Sequence, residues 1–367
     1  MTKFRCLGGD CEDTCCQGWT VPIDEPTHRR LKVLAANEPI AEQMLNRGIE
    51  LTPQGPHFGK LRFTESGHCG MLDEQGLCGI HARLGPDALF DVCMTYPRYY
   101  NEVDGELELF GTVSCPEVAR LCLLGDDALA LASLPEHDAP RKLRNQFRTE
   151  RPYYQPFTLA RAAFSELLAR PQHGLSEKLF ALLWITDKLS PVVHAGAQSM
   201  PTAEVGKALT ATLAPAALES LISSYRNLGL DGSLAISVLS SALDSPMSWP
   251  DYCERRELVA PEIRERVDAC LTRYAENHVY TTPYMLYPSL FAYARDLTWR
   301  VAMLRYLLHQ ELSGFAGDPA AVDRRIVDVT YKFGRRVEHS ELFTQLGQLL
   351  AKEKLDTFAH TVCFLPV

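Results

Sequence analysis

Thiols are the side chains of this chain with the most chemistry in them, and they are concentrated. The run CLGGDCEDTCC carries Cys6, Cys11, Cys15 and Cys16, and Cys69, Cys78, Cys93 and Cys115 follow it. The spacing is C-x4-C-x3-C-C, a gap, then C-x8-C-x14-C-x21-C. Soft thiolates select zinc or iron–sulfur clusters. This is not the paired C-x2-C of a zinc ribbon, nor the C-x3-C-x2-C loop of radical-cluster enzymes. Adjacent cysteines point in different directions, so one of Cys15 and Cys16 faces a metal while the other serves a second site or the core. The eight thiols make either one four-thiolate centre with four spares or two centres.

Two other fates compete with metal binding: disulfides and burial as free thiols. The first residues, MTKFRCLGGD, contain no apolar stretch of the kind that directs export. A cytoplasmic location is therefore expected, where stable disulfides are rare. Nine of the twelve cysteines fall within the first 122 residues, which favours a shared metal role over scattered burial. Cys122, inside the apolar run ARLCLL, and the isolated Cys253, Cys270 and Cys363 read as core thiols.

The elements that must hold these thiols look short. Residues 1–125 are rich in Cys, Gly and Pro, which predicts irregular structure tied by cross-links. A helix is expected over Glu25–Ala36, with Asp24 as its N-cap and Pro26 in its first turn. Another is expected over His81–Leu84, a hairpin over Tyr99–Gly111 turning at Asp104-Gly105, and a helix over Glu117–Leu124 after Pro116. A linker around Gly125–Ala139 separates this part from residues 126–367, which read as all-helical. Leu159, Ala163, Leu167 and Leu168 predict one buried face, and Leu179, Leu182, Leu183 and Ile185 begin another. Val301, Leu304, Leu307 and Leu308 make a third stripe, and Val322, Ile326, Val329, Phe333 and Val337 a fourth. Breaks are expected at Arg170-Pro171, Ser190-Pro191 and Gly317-Asp318-Pro319. The fold class is mainly α, and without alternating strands and helices a parallel-sheet nucleotide fold is not expected.

The chain has 367 residues, 46% of them hydrophobic, enough for a normal core. Its net charge of −9 argues against nonspecific nucleic-acid binding and suits a basic protein partner. No run reaches the ~18–20 apolar residues needed to span a bilayer. LFALLWI at 179–185 reads as the buried face of a helix.

Four pieces in order, CLGGDCEDTCCQGWTVPID, GHCGMLDEQGLCGIHARLG, CMTYPR and SCPEVARL, resemble the flagellin lysine-N-methylase (FliB) family. The middle piece also resembles the wider YkgJ-type cysteine-cluster module. The likeness is dense over residues 4–122 and looser beyond, through RRVEHSELF and LDTFAH. It implies an enzyme that methylates flagellin lysines in the cytoplasm before export, with S-adenosylmethionine as donor and a 4Fe–4S cluster. It assigns the metal to Cys6, Cys11, Cys15, Cys16, Cys69, Cys78, Cys93 and Cys115, leaving Cys122 outside. Zinc is the alternative metal. A zinc- or iron-binding module without methyltransferase activity is the alternative function.

Methyl transfer to lysine needs a neutral amine, yet a free lysine has a pKa of about 10.4. A tyrosine- or carboxylate-lined channel would suit both proton removal and guidance of the cation. Tyr96 and Arg98 flank Pro97 beside Cys93; Arg98 offsets cluster charge, or grips the donor's carboxylate, or forms a surface or N-cap salt bridge. Glu12 and Asp13 either face the donor's amino group or are solvated turn residues. Trp19 either stacks on adenine or packs in the core. Tyr274, Tyr280, Tyr284, Tyr287 and Tyr293 either line a lysine groove, with Tyr280 as the catalytic candidate, or form an aromatic core. Asn277 and His278 are polar candidates for the same cavity, and His339 reads as a helix-surface residue. No Gly-rich nucleotide loop is present.

Overall fold

The computed structural model describes residues 3–52, 57–125, 129–134, 143–337 and 340–367. It is mainly α, as the sequence predicts, with a cysteine-rich N-terminal region and a helical remainder. The polypeptide around the first cysteines folds onto strand β1 (Pro22–Ile23) and helix α1 (Glu25–Ala35). Asp24 caps α1 by accepting from the Thr27 N–H at 2.7 Å, and Pro26 sits in the first turn. The short helix α2 (Pro39–Gly48) and strands β2 (Ile49–Leu51) and β3 (Gly59–Leu61) were not foreseen. The strands form an antiparallel sheet in the order β1-β3-β2. Val21, Ile23, Leu31, Leu45, Met71, Ile80 and Phe90 fill a small core beneath it.

Helices α3 (Gly79–Leu84) and α4 (Asp91–Thr95) follow, then strands β4 (Arg98–Val103) and β5 (Glu106–Gly111). The hairpin pairs Tyr99 with Phe110 and Val103 with Glu106. Asp104 (φ 52°) and Gly105 (φ 91°) both take positive φ, as a tight two-residue hairpin turn requires. Helix α5 (Pro116–Leu124) follows, and strand β6 (Asn145–Phe147) joins β4 in parallel. Three residues give too little pattern to predict β6. Of the expected linker, residues 126–128 and 135–139 lie outside the described residues.

The remaining helices are α6 (Phe157–Ala169), α7 (Leu175–Leu189), α8 (Thr202–Leu213), α9 (Pro215–Arg226), α10 (Ser233–Ala242), α11 (Trp249–Glu257), α12 (Pro261–Thr281), α13 (Leu290–Leu312), α14 (Pro319–Val337), α15 (Leu342–Lys352) and α16 (Phe358–Thr361). The predicted breaks fall between them. Leu179, Leu182, Leu183 and Ile185 are buried on α7, as are Val322, Ile326 and Phe333 on α14. On α6 the expected Ala163, Leu167 and Leu168 are buried, whereas Leu159 is 44% exposed and Ala160 and Phe164 complete the face.

A large core unites these helices and includes Val113, Ala119 and Leu123 from the α5 region. Cys122 and Cys270 are buried in it, their thiols pointing at the carbonyls of Arg273 and Leu123. Cys253 and Cys363 were expected in the core and are instead only half-buried, Cys253 in the middle of α11 and Cys363 in the turn after α16. Helix α14 runs against the segment before α5 at Gly334. A Cβ there would stand 2.9 Å from the Ser114 nitrogen and 3.1 Å from the Val113 carbonyl carbon. Only glycine permits this approach, and it delivers Arg335 to the cysteine region.

Candidate metal centre and adjoining groove

Backbone pairing closes the long sequence gap between the first four cysteines and the rest. The Cys69 N–H donates to the Cys16 carbonyl at 2.8 Å, and Gln17 bridges His68. Phe63 pairs with Cys69 and Leu72 with Cys78. The turn DEQG is tied by Asp73, which accepts from the N–H groups of Gln75 and Leu77, and Gly76 takes a positive φ of 73°. That turn returns Cys78 beside Cys69. Cys78 and Cys115 occupy the N-cap positions of α3 and α5. Backbone N–H groups there favour the thiolate form.

All eight cysteines are free thiols. Burial pushes Cys69, Cys78 and Cys93 up and Cys115 up to about 11. A hydrogen bond with Cys15 pushes Cys16 up, and the same bond draws Cys15 down to about 7, helped by Arg335. Burial holds most of these groups as neutral thiols, and a soft metal, were one bound, would displace their protons and take them as thiolates. Among the described residues, no three His, Cys, Asp or Glu side chains are gathered as the ligands of a single ion would be.

The two acids of the first loop are engaged by arginines. Glu12 pairs with Arg120 of α5, which also holds Glu117. Asp13 accepts from Arg335 of α14 at 2.7 Å, and the Arg335 Nε donates to the Ser114 carbonyl at 3.1 Å. Trp19 is half-buried against the small core, its indole N–H donating to the Cys15 carbonyl at 2.8 Å and its ring 5.6 Å from Tyr96. The Tyr96 hydroxyl lies 3.2 Å from that of Ser114, and burial pushes its pKa up. Tyr96 therefore belongs to the cysteine site.

Arg98 and Tyr280 lie elsewhere, in a groove of about 500 Å³ between β5, α5, α6 and α12. Lys3 and Phe4, three and two residues before Cys6, line it, so the groove and the first cysteine loop share a wall. Arg161 and Glu108 form a two-pronged ion pair on its side, at 2.7 and 2.9 Å. The Tyr280 hydroxyl lies 2.9 Å from Ser165, which donates to Glu276 at 3.3 Å. Burial raises the Glu276 pKa.

The rest of the tyrosine-rich stretch is interior. Tyr274, Tyr284 and Tyr293 are core residues, and Tyr287 donates to the buried Asp296, which is paired with Arg300 at 2.5 Å. Asn277 lines the groove, whereas His278 does not. It is stacked on Tyr293, and burial draws its pKa down to about 3, which leaves it neutral and unsuited as a base. His339 lies outside the described residues. Sequence reasoning missed Arg120, Arg335, Ser114, Ser165 and Glu276. Arg335 lies 322 positions from Asp13, and no local pattern signals such a pairing.

No family model matches the chain, and no solved structure matches it. The chain is 30% identical over 155 residues to the flagellar biosynthetic protein FliU of Salmonella muenchen, covering 42% of this chain and 90% of that protein. It is 31% identical over 159 residues to the lysine-N-methylase of Salmonella typhimurium and, equally, to that of Salmonella choleraesuis. Those matches cover 40% of this chain and 39% of each methylase, so the chain matches about two fifths of their length.

Proposed function

Starting from the premise that the chain belongs to the flagellin lysine-N-methylase (FliB) family, we propose that it methylates lysine side chains of flagellin. S-adenosylmethionine is the methyl donor and the reaction takes place in the cytoplasm before export. The relationship to proteins named lysine-N-methylase supports the methyltransferase reading. The observation that carries the site is the groove's position: it shares a wall with the cysteine loop and presents Arg98 and Tyr280.

In the reaction, the lysine Nζ lone pair attacks the sulfonium methyl carbon, the carbon–sulfur bond breaks, and its electrons stay on sulfur. The amine must first lose its proton. Tyr280 would guide the ammonium, and its hydrogen bonds through Ser165 lead to Glu276, a half-buried carboxylate able to take up the proton. Arg98 is a cationic anchor for the donor's carboxylate. Positioning in the groove lowers the entropic part of the barrier. A 4Fe–4S cluster held by the cysteines would supply an anchor for the donor's amino-carboxylate end or fix the fold around it. Among the described residues no helix is long and apolar enough to cross a membrane.

The competing reading is a metal-binding module without methyltransferase activity. One observation favours it: Glu12 and Asp13, the acids nearest the thiols, are already engaged by Arg120 and Arg335. Anaerobic reconstitution followed by incubation with S-adenosylmethionine and flagellin decides between them. Flagellin peptides gaining whole methyl groups on lysine support the methylase. Unmodified flagellin with a fully iron-loaded chain, or stoichiometric zinc without sulfide, would support the module.

A further inference from the structure

One wall of the groove is the edge of a sheet. The sheet order is β5-β4-β6, so β5 has β4 on one side and, among the described residues, no strand on the other. The two-residue turn makes Val103 and Glu106 a hydrogen-bonded pair. Glu106, Glu108 and Phe110 therefore aim their backbone N–H and C=O groups at β4. The Thr112 N–H continues that alternation by donating to the Pro97 carbonyl at 2.9 Å. Leu107, Leu109 and Gly111 aim theirs the other way, and all three line the groove. Among the described residues no backbone group bonds to them on that side. Open edges are ordinarily covered, or blocked by proline or lysine, and the β5 sequence ELELFG contains neither residue. Residues 129–134 line the same groove in neither helix nor strand, and they make no backbone hydrogen bond among the described residues. A row of unused donors and acceptors roughly 13 Å long thus borders the groove.

We propose that the groove takes its protein substrate as an extended segment that adds to β5 as a fourth strand, its backbone bonded to Leu107, Leu109 and Gly111. The occupant is a lysine-bearing stretch of polypeptide. The groove suits that cation: Tyr280 leads through Ser165 to Glu276, which is half-buried and forms no ion pair among the described residues. The helix-facing side of β5 is marked by Glu108, whose side chain is held by Arg161 of α6. An added strand turns every second side chain to that same side, where Tyr280 and Asn277 of α12 stand. Backbone pairing reads no sequence, so lysines in varied contexts qualify if their segment is free to extend, and lysines held in a helix do not. The inference rests on the methylase reading for the reaction and stands apart from it for the binding mode.

The test uses short synthetic peptides centred on lysines of flagellin, titrated into the intact chain by fluorescence anisotropy and then assayed for methyl transfer. Backbone N-methylation removes one N–H at a time. It should weaken binding roughly tenfold at alternate residues and leave the residues between them unaffected. Leu109→Pro removes an edge N–H and no bond to β4, and should weaken binding to a similar degree. Should that variant fail to fold, the N-methyl series on the unsubstituted chain still decides. Equal effects at every position, no effect at any, tighter binding of a helix-stapled peptide, or no peptide binding at all would each overturn the pairing. A chain that dimerises through this edge, and becomes monomeric with Leu109→Pro, would overturn it in favour of a second copy. Alternating losses of binding without methyl transfer would uphold the pairing and overturn the methylase reading. Flagellin methylated equally well by the Leu109→Pro chain would do the reverse.

Discussion

The two cores of this molecule are stabilised by different means. The helical core contains sixty-four buried residues among those described, whereas the cysteine region contains fourteen, beneath a sheet of strands two and three residues long. At roughly 25 cal/mol per Å² of apolar surface, the first core is self-sufficient and the second is of mini-protein size. Small domains of that size ordinarily rely on disulfides or metals, and here the only candidates are the thiols. The contrast separates the regions: the helices form a large self-supporting core, and the cysteine region is a small one packed beside it.

The comparison breaks most visibly if the metal is removed. Chelation or acid release of iron should abolish hydrogen-exchange protection over residues 21–93 and leave α7 and α13 protected. Equal loss in both regions would show that the helical core also depends on the metal. A cavity in the large core should do the reverse. Leu182→Ala, at a fully buried position, should lower stability by about 3 kcal/mol while iron content stays unchanged. The seam between the regions is tested by Arg335→Met, which leaves Asp13 half-buried without its partner. It should cost about 1–2 kcal/mol and speed iron release, and Asp13→Asn in the same chain should recover part of both.

Acidity sharpens the contrast further. Burial draws His278 and His309, both in the helical core, down to about 3. Unfolded histidine titrates near ~6.5, so the unfolded chain binds more protons below that pH. The stability from these neutral histidines is complete above ~6.5 and is lost as pH falls towards 3. His278→Phe, which keeps the stack on Tyr293, should flatten that part of the pH–stability curve. The smallest effect on folding belongs to the groove. Tyr280→Phe should change stability by less than about 1 kcal/mol, yet lower kcat roughly 10- to 100-fold and move the acid limb of the kcat profile. An unchanged profile would remove Tyr280 and Glu276 from the reaction.

What the sequence made legible was local. The Asp24 cap, the Asp104-Gly105 turn and the helix after Pro116 each depend on residues within a few positions of one another. The helical stripes on α7 and α14 followed from period alone, as did Ala163, Leu167 and Leu168 on α6, where Leu159 alone of the four expected residues is exposed. The candidate site was legible in composition but not in arrangement. Nothing near Arg98 or Tyr280 announces that they share a groove, whereas Tyr96, three positions after Cys93, was legible as a neighbour of the thiols. Arg335 was invisible because its meaning depends on Asp13 and on a helix that crosses Ser114 at Gly334.

That crossing also has a consequence in time. A ribosome adds residues from the N-terminus at about 5–20 per second, so Arg335 follows Asp13 by roughly 15–60 s. Throughout that interval the first cysteine loop exists without the guanidinium that fastens it, and for its last 220 additions, after Cys115, every thiol of the region has already been made. The order of synthesis therefore leaves a period in which the loop stands unfastened by Arg335, and it ends when α14 packs onto Ser114.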